Sequence, residues 1–355
     1  MSEHVEVVKR AIKFGKPAYL PMEIVDVPGI YNAYHTLDPE AVRFIPGTEN
    51  FDALWPCCYS LLHKEVARTA EGMPIKVDQW GTRLKTPPDT SSAYVLLDHP
   101  LKGKNSLEGF AWPDPDDMDP LLNQLARVVR ERYPDRFVDG FIDAGLFLTT
   151  QFLFGMEEFL LKVAENPHLV TEAYERVTEY YMRLVPKYKR AGAQMITVIE
   201  DIGGRDGLVL NPAVWRKRFK PITKRFIDYV HAQGLYAGVC IDGNASQVLD
   251  DLLEMKVDVF TVYDIKTTGL ETIRKKLGGK MCVKATVDMQ TSLALGSPEA
   301  VAREADELVK AFHTPQGGFI AQVVRWHRPE FPAANVQASV RAFNCYRKGD
   351  SDHGV

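Results

Sequence analysis

The sequence predicts an α/β protein built as a single (β/α)8 barrel of the TIM type, on three observations. Downstream of Gln194, strand-like apolar runs alternate regularly with helical segments, which implies a parallel sheet with right-handed crossovers. Three of these runs end in polar residues and are each followed by a helix: Gly238-Val239-Cys240-Ile241-Asp242-Gly243-Asn244, Val262-Tyr263-Asp264 and Lys284-Ala285-Thr286-Val287-Asp288-Met289-Gln290. Polar residues repeated at strand ends mark the end of a barrel that carries a site. Three upstream runs added to five downstream runs then give the eight strands that a closed barrel needs.

Taken in order, a helix is expected near 4–14 and a strand at 18–24. A hairpin is expected around Val77-Asp78-Gln79-Trp80-Gly81, with 75–80 as the second barrel strand. The segment Trp112-Pro113-Asp114-Pro115-Asp116-Asp117 reads as a loop, followed by a helix at 119–132, a strand at 137–142 and helices at 156–165 and 167–191. The later strands are 194–200, 235–240, 257–263, 281–287 and 318–324. Asn211-Pro212 and Ser297-Pro298 each set a capping side chain before a proline in the first helical turn. Pro221 lies inside the apolar-periodic stretch 213–232, so that helix should kink or divide. With an N-terminal helix within 1–15, a C-terminal helix at 332–347 and no internal repeat or linker, residues 1–355 read as one domain.

Lys plus Arg (43) nearly balance Asp plus Glu (47), and the net charge of −4 offers no field for a phosphate backbone, which argues against nucleic acid. No segment has the uninterrupted apolar length of a membrane span, and Met1-Ser2-Glu3-His4-Val5 lacks a signal-peptide core, so a cytoplasmic location is expected. The five cysteines are odd in number and include only a vicinal pair, Cys57-Cys58; they do not form a disulfide framework and read as thiols.

Several segments together resemble the uroporphyrinogen decarboxylase superfamily: Asp78-Gln79-Trp80-Gly81, Trp112 to Asp117, Glu200-Asp201-Ile202-Gly203, Asn211-Pro212-Ala213-Val214-Trp215, Asp242-Gly243-Asn244, Val287-Asp288-Met289-Gln290 and Gly317-Gly318-Phe319-Ile320. The resemblance runs over nearly the whole chain. It implies a single barrel with its site at the C-terminal face, and either of two chemistries: decarboxylation of a tetrapyrrole, or methyl transfer involving a corrinoid protein or a thiol. Decarboxylases of this kind need clustered arginines near the N-terminus for a polycarboxylate, and here Arg10 stands alone. The Asp78 to Gly81 and Trp112 to Asp117 segments instead resemble the corrinoid-dependent methyltransferases, including O-demethylases.

The resemblance also implies where chemistry should sit. The zinc-binding members place ligands at positions that correspond here to Cys240, Asp242 and Arg325, and an arginine cannot be a ligand. Cys240 and Asp242 therefore admit three readings: a buried thiol beside an Asp that caps the helix starting near Ala245, a zinc site completed by Glu200, Asp201 or His327, or polar contact with substrate. Adjacent acids at a strand end point to opposite sides, so one of Glu200 and Asp201 should reach the barrel axis while the other braces the following loop. His327 and Arg325 could protonate or stabilise a leaving oxygen, and Glu23, Tyr263, Asp288 and Asp242 are candidate substrate contacts.

The resulting expectation is a methyltransferase that moves a methyl group from a small methylated donor, an aryl methyl ether, to the Co(I) of a corrinoid (cobalamin) carried by a partner protein. Zinc at Cys240 and Asp242 stays open, and a homodimer is compatible with the reading. Arg325, Lys284 and Arg205 are the cations that a decarboxylase of another carboxylated substrate would use, and a binding protein on the same barrel is the other alternative.

Overall fold

The computed structural model describes residues 2–25, 27–30, 42–56, 62–85, 95–324 and 330–347. Its strands in chain order are β1 (Met22–Ile24), β2 (Ala53–Leu54), β3 (His63–Arg68), β4 (Pro74–Asp78), β5 (Arg83–Lys85), β6 (Val95–Asp98), β7 (Phe137–Ile142), β8 (Met195–Ile199), β9 (Tyr236–Cys240), β10 (Val259–Val262), β11 (Cys282–Ala285) and β12 (Phe319–Val323). β1, β2 and β7 to β12 close in sequence order into an eight-stranded parallel barrel, while β3 to β6 form a separate four-stranded antiparallel sheet. The predicted barrel is therefore present, with one strand misassigned.

That strand is the second. Residues 75–80 fall in β4 and the turn after it, and β4 pairs antiparallel with β3 and β5. The real second barrel strand is the two-residue β2, too short to show any period. The physical difference is burial: β2 is buried throughout, whereas β4 is mostly half-exposed and its alternation is that of a surface strand. The expected hairpin is real, and its turn is held by Asp78 Oδ1, which accepts from the amides of Trp80 (2.9 Å) and Thr82 (2.8 Å). Inserted after the C-terminal end of β2, this sheet is attached on the side of the barrel where the strands end.

The helix Glu3–Lys13, capped by Ser2, closes the opposite end. Its apolar residues Val5, Val8 and Ile12 pack with Ala53, Phe137, Met195, Val259, Cys282 and Ile320, which lie at or near the starts of strands. Asn211 and Ser297 cap the helices Pro212–Arg218 and Pro298–Phe312 as expected. The stretch around Pro221 divides into Pro212–Arg218 and Lys220–Ala232, with the proline in the first turn of the second helix. Helix Leu146–Phe154 was not legible in the sequence because it is apolar nearly all round and buried, which leaves no periodic face. Among the described residues no helix is long and apolar enough to cross a membrane.

Candidate active site

Strand register sets the side chains that meet on the barrel axis. Lys284 is level with Thr261, Thr261 with Cys240 and Cys240 with Ile199 on adjacent strands. Residues at matched positions of neighbouring strands share a face. Lys284 points inward and is fully buried; its ammonium meets Glu23 at 2.8 Å and Asp139 at 2.6 Å from strands across the barrel. Gln322 Nε2 donates to Glu23 Oε1 (2.7 Å), and the Thr197 hydroxyl donates to Asp139 (2.7 Å).

Burial pushes the Glu23 and Asp139 carboxyls up against the pull of Lys284. Burial acts downward on Lys284, but Asp139 and Glu23 outweigh it, and the ammonium is held above its ordinary range. This layer is a closed ionic network, costly to desolvate and costly to break. Glu23, expected as a substrate contact, joins this network through Oε1.

Trp55, the residue after β2, covers this layer. The Lys284 ammonium lies 4.5 Å from its ring centroid, Phe141 meets the ring edge-on with centroids 4.0 Å apart, and Tyr263 stacks on it at 5.8 Å and 11°. The indole thus separates the buried charges from the groups at the strand ends.

At those ends stand the acids. Glu200 and Asp201 divide their roles as adjacent strand-end residues should, and the brace is Glu200. Its two carboxylate oxygens accept from the amides of Leu146 and Phe147, each at 2.8 Å, at the start of the helix that follows β7. Burial pushes the Glu200 carboxyl up to about 8, with the two amide bonds opposing it.

Asp201 faces the other acids. Burial raises it to about 6, Asp143 and Asp264 add to the rise, and the nearby backbone N–H dipole of Asp242 opposes it. Asp242 is held well above the ordinary carboxyl range by burial and then by Asp201, Asp264 and Asp143. Asp264 is raised by burial and by Asp288, against donation from the Gly243 amide and from Gln290 Nε2 at 2.8 Å. Cys240 is fully buried and its Sγ lies 4.0 Å from Asp242 Oδ1; burial and the charges of Asp242 and Asp201 push the thiol well up.

Backbone packing of the two loops sets this arrangement. Gly243 has φ +78, and a Cβ there would come within 2.6 Å of the Gly203 carbonyl oxygen; a Cβ on Gly203 would in turn collide with the Asp242 carbonyl. Asn244 donates its amide to the Gly204 carbonyl at 2.8 Å. The glycines of Glu200-Asp201-Ile202-Gly203 and Asp242-Gly243-Asn244 thus let the loops after β8 and β9 lie backbone against backbone, which brings Asp201 and Asp242 together.

The other sequence-derived candidates fall as follows. Tyr263 is half-buried against Trp55. Asp288 is buried and caps its own turn, accepting from the Thr291 amide (2.9 Å) and hydroxyl (2.7 Å). Asp242 does not cap a helix: the helix Leu249–Glu254 starts after Val248, too far on, and in the intervening turn Asn244 Oδ1 accepts from the Ser246 amide. Arg325 and His327 lie outside the described residues, as do Cys57 and Cys58.

Cys240 and Asp242 supply two donors for a metal ion. Among the described residues no group of three or more His, Cys, Asp or Glu is arranged to hold one, and His327, a candidate third ligand, lies outside them. Trp55 was missed as part of the site because it follows a two-residue strand with no period to flag it. Asp139 was missed because it lies inside an otherwise apolar strand.

A family model described as uroporphyrinogen decarboxylase (URO-D) matches residues 62–346. Among solved structures, a methyltransferase from Methanosarcina mazei is similar with a TM-score of 0.74 at 18% sequence identity, covering 97% of this chain and 98% of that chain. A B12-independent methionine synthase from Shewanella sp. aligns with a TM-score of 0.46 at 10% identity, covering 84% of this chain and 85% of that one. A xylanase 10B from Thermotoga maritima aligns with a TM-score of 0.49 at 10% identity, covering 96% and 98% respectively. No curated protein matches the chain.

Proposed function

This chain belongs to the uroporphyrinogen decarboxylase family, and on that premise we propose that it is a methyltransferase that cleaves an aryl methyl ether and passes the methyl group to the Co(I) of a corrinoid protein. The observation that supports the reading is the meeting of Asp201 and Asp242 at the strand ends, where the loops after β8 and β9 lie backbone against backbone; burial raises the Asp201 carboxyl to about 6, and burial with the charges of Asp201, Asp264 and Asp143 holds the Asp242 carboxyl well above its ordinary range. An aryloxide is a poor leaving group at neutral pH, and a carboxylic acid kept protonated beside it is the group such a reaction needs.

The corrinoid, carried by its own protein, supplies the nucleophile. In the reaction the bond between the methyl carbon and the ether oxygen breaks, its electron pair stays on oxygen, and the Asp242 proton passes to that oxygen as the charge develops. Asp201, ionised at neutral pH, keeps the proton on Asp242 until then. Glu200 holds the start of the helix after β7, beside Asp143, and so supports the shape of the mouth. This division assigns the acid role to a carboxyl pair within the described residues, where the sequence had suggested Arg325 and His327.

Among the described residues the cations give little support to a decarboxylase of a polycarboxylate, and Arg325, the remaining candidate, lies outside them. Arg10 is on the helix that closes the opposite end and pairs with Glu6 at 2.8 Å, Lys284 is spent on Glu23 and Asp139 beneath Trp55, and Arg205 is exposed. The test is an assay of the purified protein with methoxylated aromatics, methylamines and methylthiols plus Co(I) cobalamin, with uroporphyrinogen as the control substrate. Methylation of cobalamin from methoxyarenes is the expected result. Methylamine turnover alone would reassign the donor, and coproporphyrinogen formation would overturn the proposal.

A further inference from the structure

We infer that the indole N–H of Trp55 is a hydrogen-bond donor to the ether oxygen of the methyl donor, so that Trp55 selects an oxygen-bearing donor over its hydrocarbon analogue. The inference rests on the O-demethylase reading above and adds to it a residue that contacts substrate. Trp55 is 1% exposed, and its Nε1 has no hydrogen-bond partner among the described residues. A buried donor without an acceptor costs on the order of 1–3 kcal/mol, so a group of this kind at a site points to an acceptor that arrives with the ligand.

The ring is fixed on several sides. Lys284 lies over its face, Phe141 meets its edge and Tyr263, the half-buried aromatic at the strand ends, stacks on it. Rotation of the indole to find another acceptor would break these contacts. The cation on the ring face also draws on the π density shared with the ring nitrogen, which makes the N–H a better donor. Other buried polar atoms close to Lys284 are in the same condition: Thr261 Oγ1, level with Lys284 on the neighbouring strand, and Gln322 Oε1 and Glu23 Oε2. With the ring covered by these neighbours, the N–H is what the indole can offer, which suits a donor with a single acceptor oxygen, and the acids at the strand ends supply the proton that the oxygen takes when the methyl leaves.

The experiment compares 4-methoxybenzoate with 4-ethylbenzoate, which differ by an ether oxygen in place of a methylene, on the full-length protein without corrinoid. Calorimetric titration should show the methoxy compound binding about tenfold more tightly, the worth of one neutral hydrogen bond. Trp55→Phe should bind the two compounds equally. In protein with 15N-labelled indoles, the Trp55 signal, identified among the five tryptophans by its absence in Trp55→Phe, should move downfield with the methoxy compound and stay in place with the ethyl one. Equal binding of both compounds by the unmodified protein would overturn the inference alone, as would an indole signal unmoved at saturation because trapped water holds the N–H. Binding of neither compound would overturn the arene-ether reading on which it depends. The comparison of the two compounds on the unmodified protein needs no variant, so it stands even if Trp55→Phe folds poorly.

Discussion

Asp201 and Asp242 meet where the loops after β8 and β9 lie backbone against backbone, and, after burial, the charge of Asp201 leads those of Asp264 and Asp143 in holding the Asp242 carboxyl up. The protonation state of Asp242 therefore depends on Asp201. Asp242→Asn should lower methyl transfer by roughly 10²-fold or more, the usual worth of a positioned general acid, with donor binding little changed. A KM that rises while kcat holds would assign Asp242 to binding instead.

Asp201→Asn makes a different prediction. It removes the charge that helps hold the Asp242 proton, so the pKa of Asp242 should fall and the alkaline limb of the kcat profile should move to lower pH. At a pH below about 6, where Asp201 is itself protonated in the unmodified protein, the two proteins should approach the same rate. A pH profile parallel to that of the unmodified protein would show that the two acids do not act as a pair.

Glu200 is assigned to the fold by its bonds to the amides of Leu146 and Phe147. Glu200→Ala leaves two buried donors without acceptors and should cost about 2–4 kcal/mol, read as a lower denaturant midpoint. An unchanged midpoint combined with lost turnover would mean that Glu200 belongs to the chemistry.

Lys284→Met strips the cation from two buried carboxyls. It should destabilise by about 3–5 kcal/mol, and adding Glu23→Gln and Asp139→Asn to it should recover a large part of that loss, since the charges that need the cation are then gone. The comparison is made by equilibrium unfolding of the single and triple variants.

Asp78, in the turn of the antiparallel sheet, provides a test of sign. Burial raises its carboxyl from an ordinary 3.8 to about 6, with the Thr82 and Trp80 amides opposing. A carboxyl raised on folding binds more protons in the native state, so its contribution is fullest below 3.8 and is lost as pH rises through 6. Asp78→Asn keeps an oxygen to accept from Trp80 and Thr82 but cannot ionise. Between pH 4 and 6 its stability should fall with pH less steeply than that of the unmodified protein, by up to about 1.4 kcal/mol per pH unit. Parallel slopes in pH-dependent unfolding would contradict the raised value.

The class and most of the frame of this protein are legible in its residues. Buried parallel strands read as continuous apolar runs, and β7 to β12 could be placed from them. Asn211 and Ser297 marked helix starts through local chemistry, and Pro221 marked a break through its missing N–H. The polar residues at strand ends also located the site, because in a closed parallel barrel every strand delivers its last residues to the same face.

What each polar residue does there follows from contacts made on folding. Alternation said that Glu200 and Asp201 must separate, but which one turns to the axis depends on where the buried helix Leu146–Phe154 presents its free amides, and that helix has no period to announce it. Glu23 and Asp139 stand at strand positions like any other; they became one network because barrel closure sets strands distant in sequence around a single lysine. β2 and Trp55 illustrate the same limit, since a two-residue strand has no pattern and its place comes from pairing with β1 and β7. Local propensity acts over a few residues, whereas hydrogen-bond partners and burial, which fix protonation, arise from contacts between residues up to hundreds of positions apart.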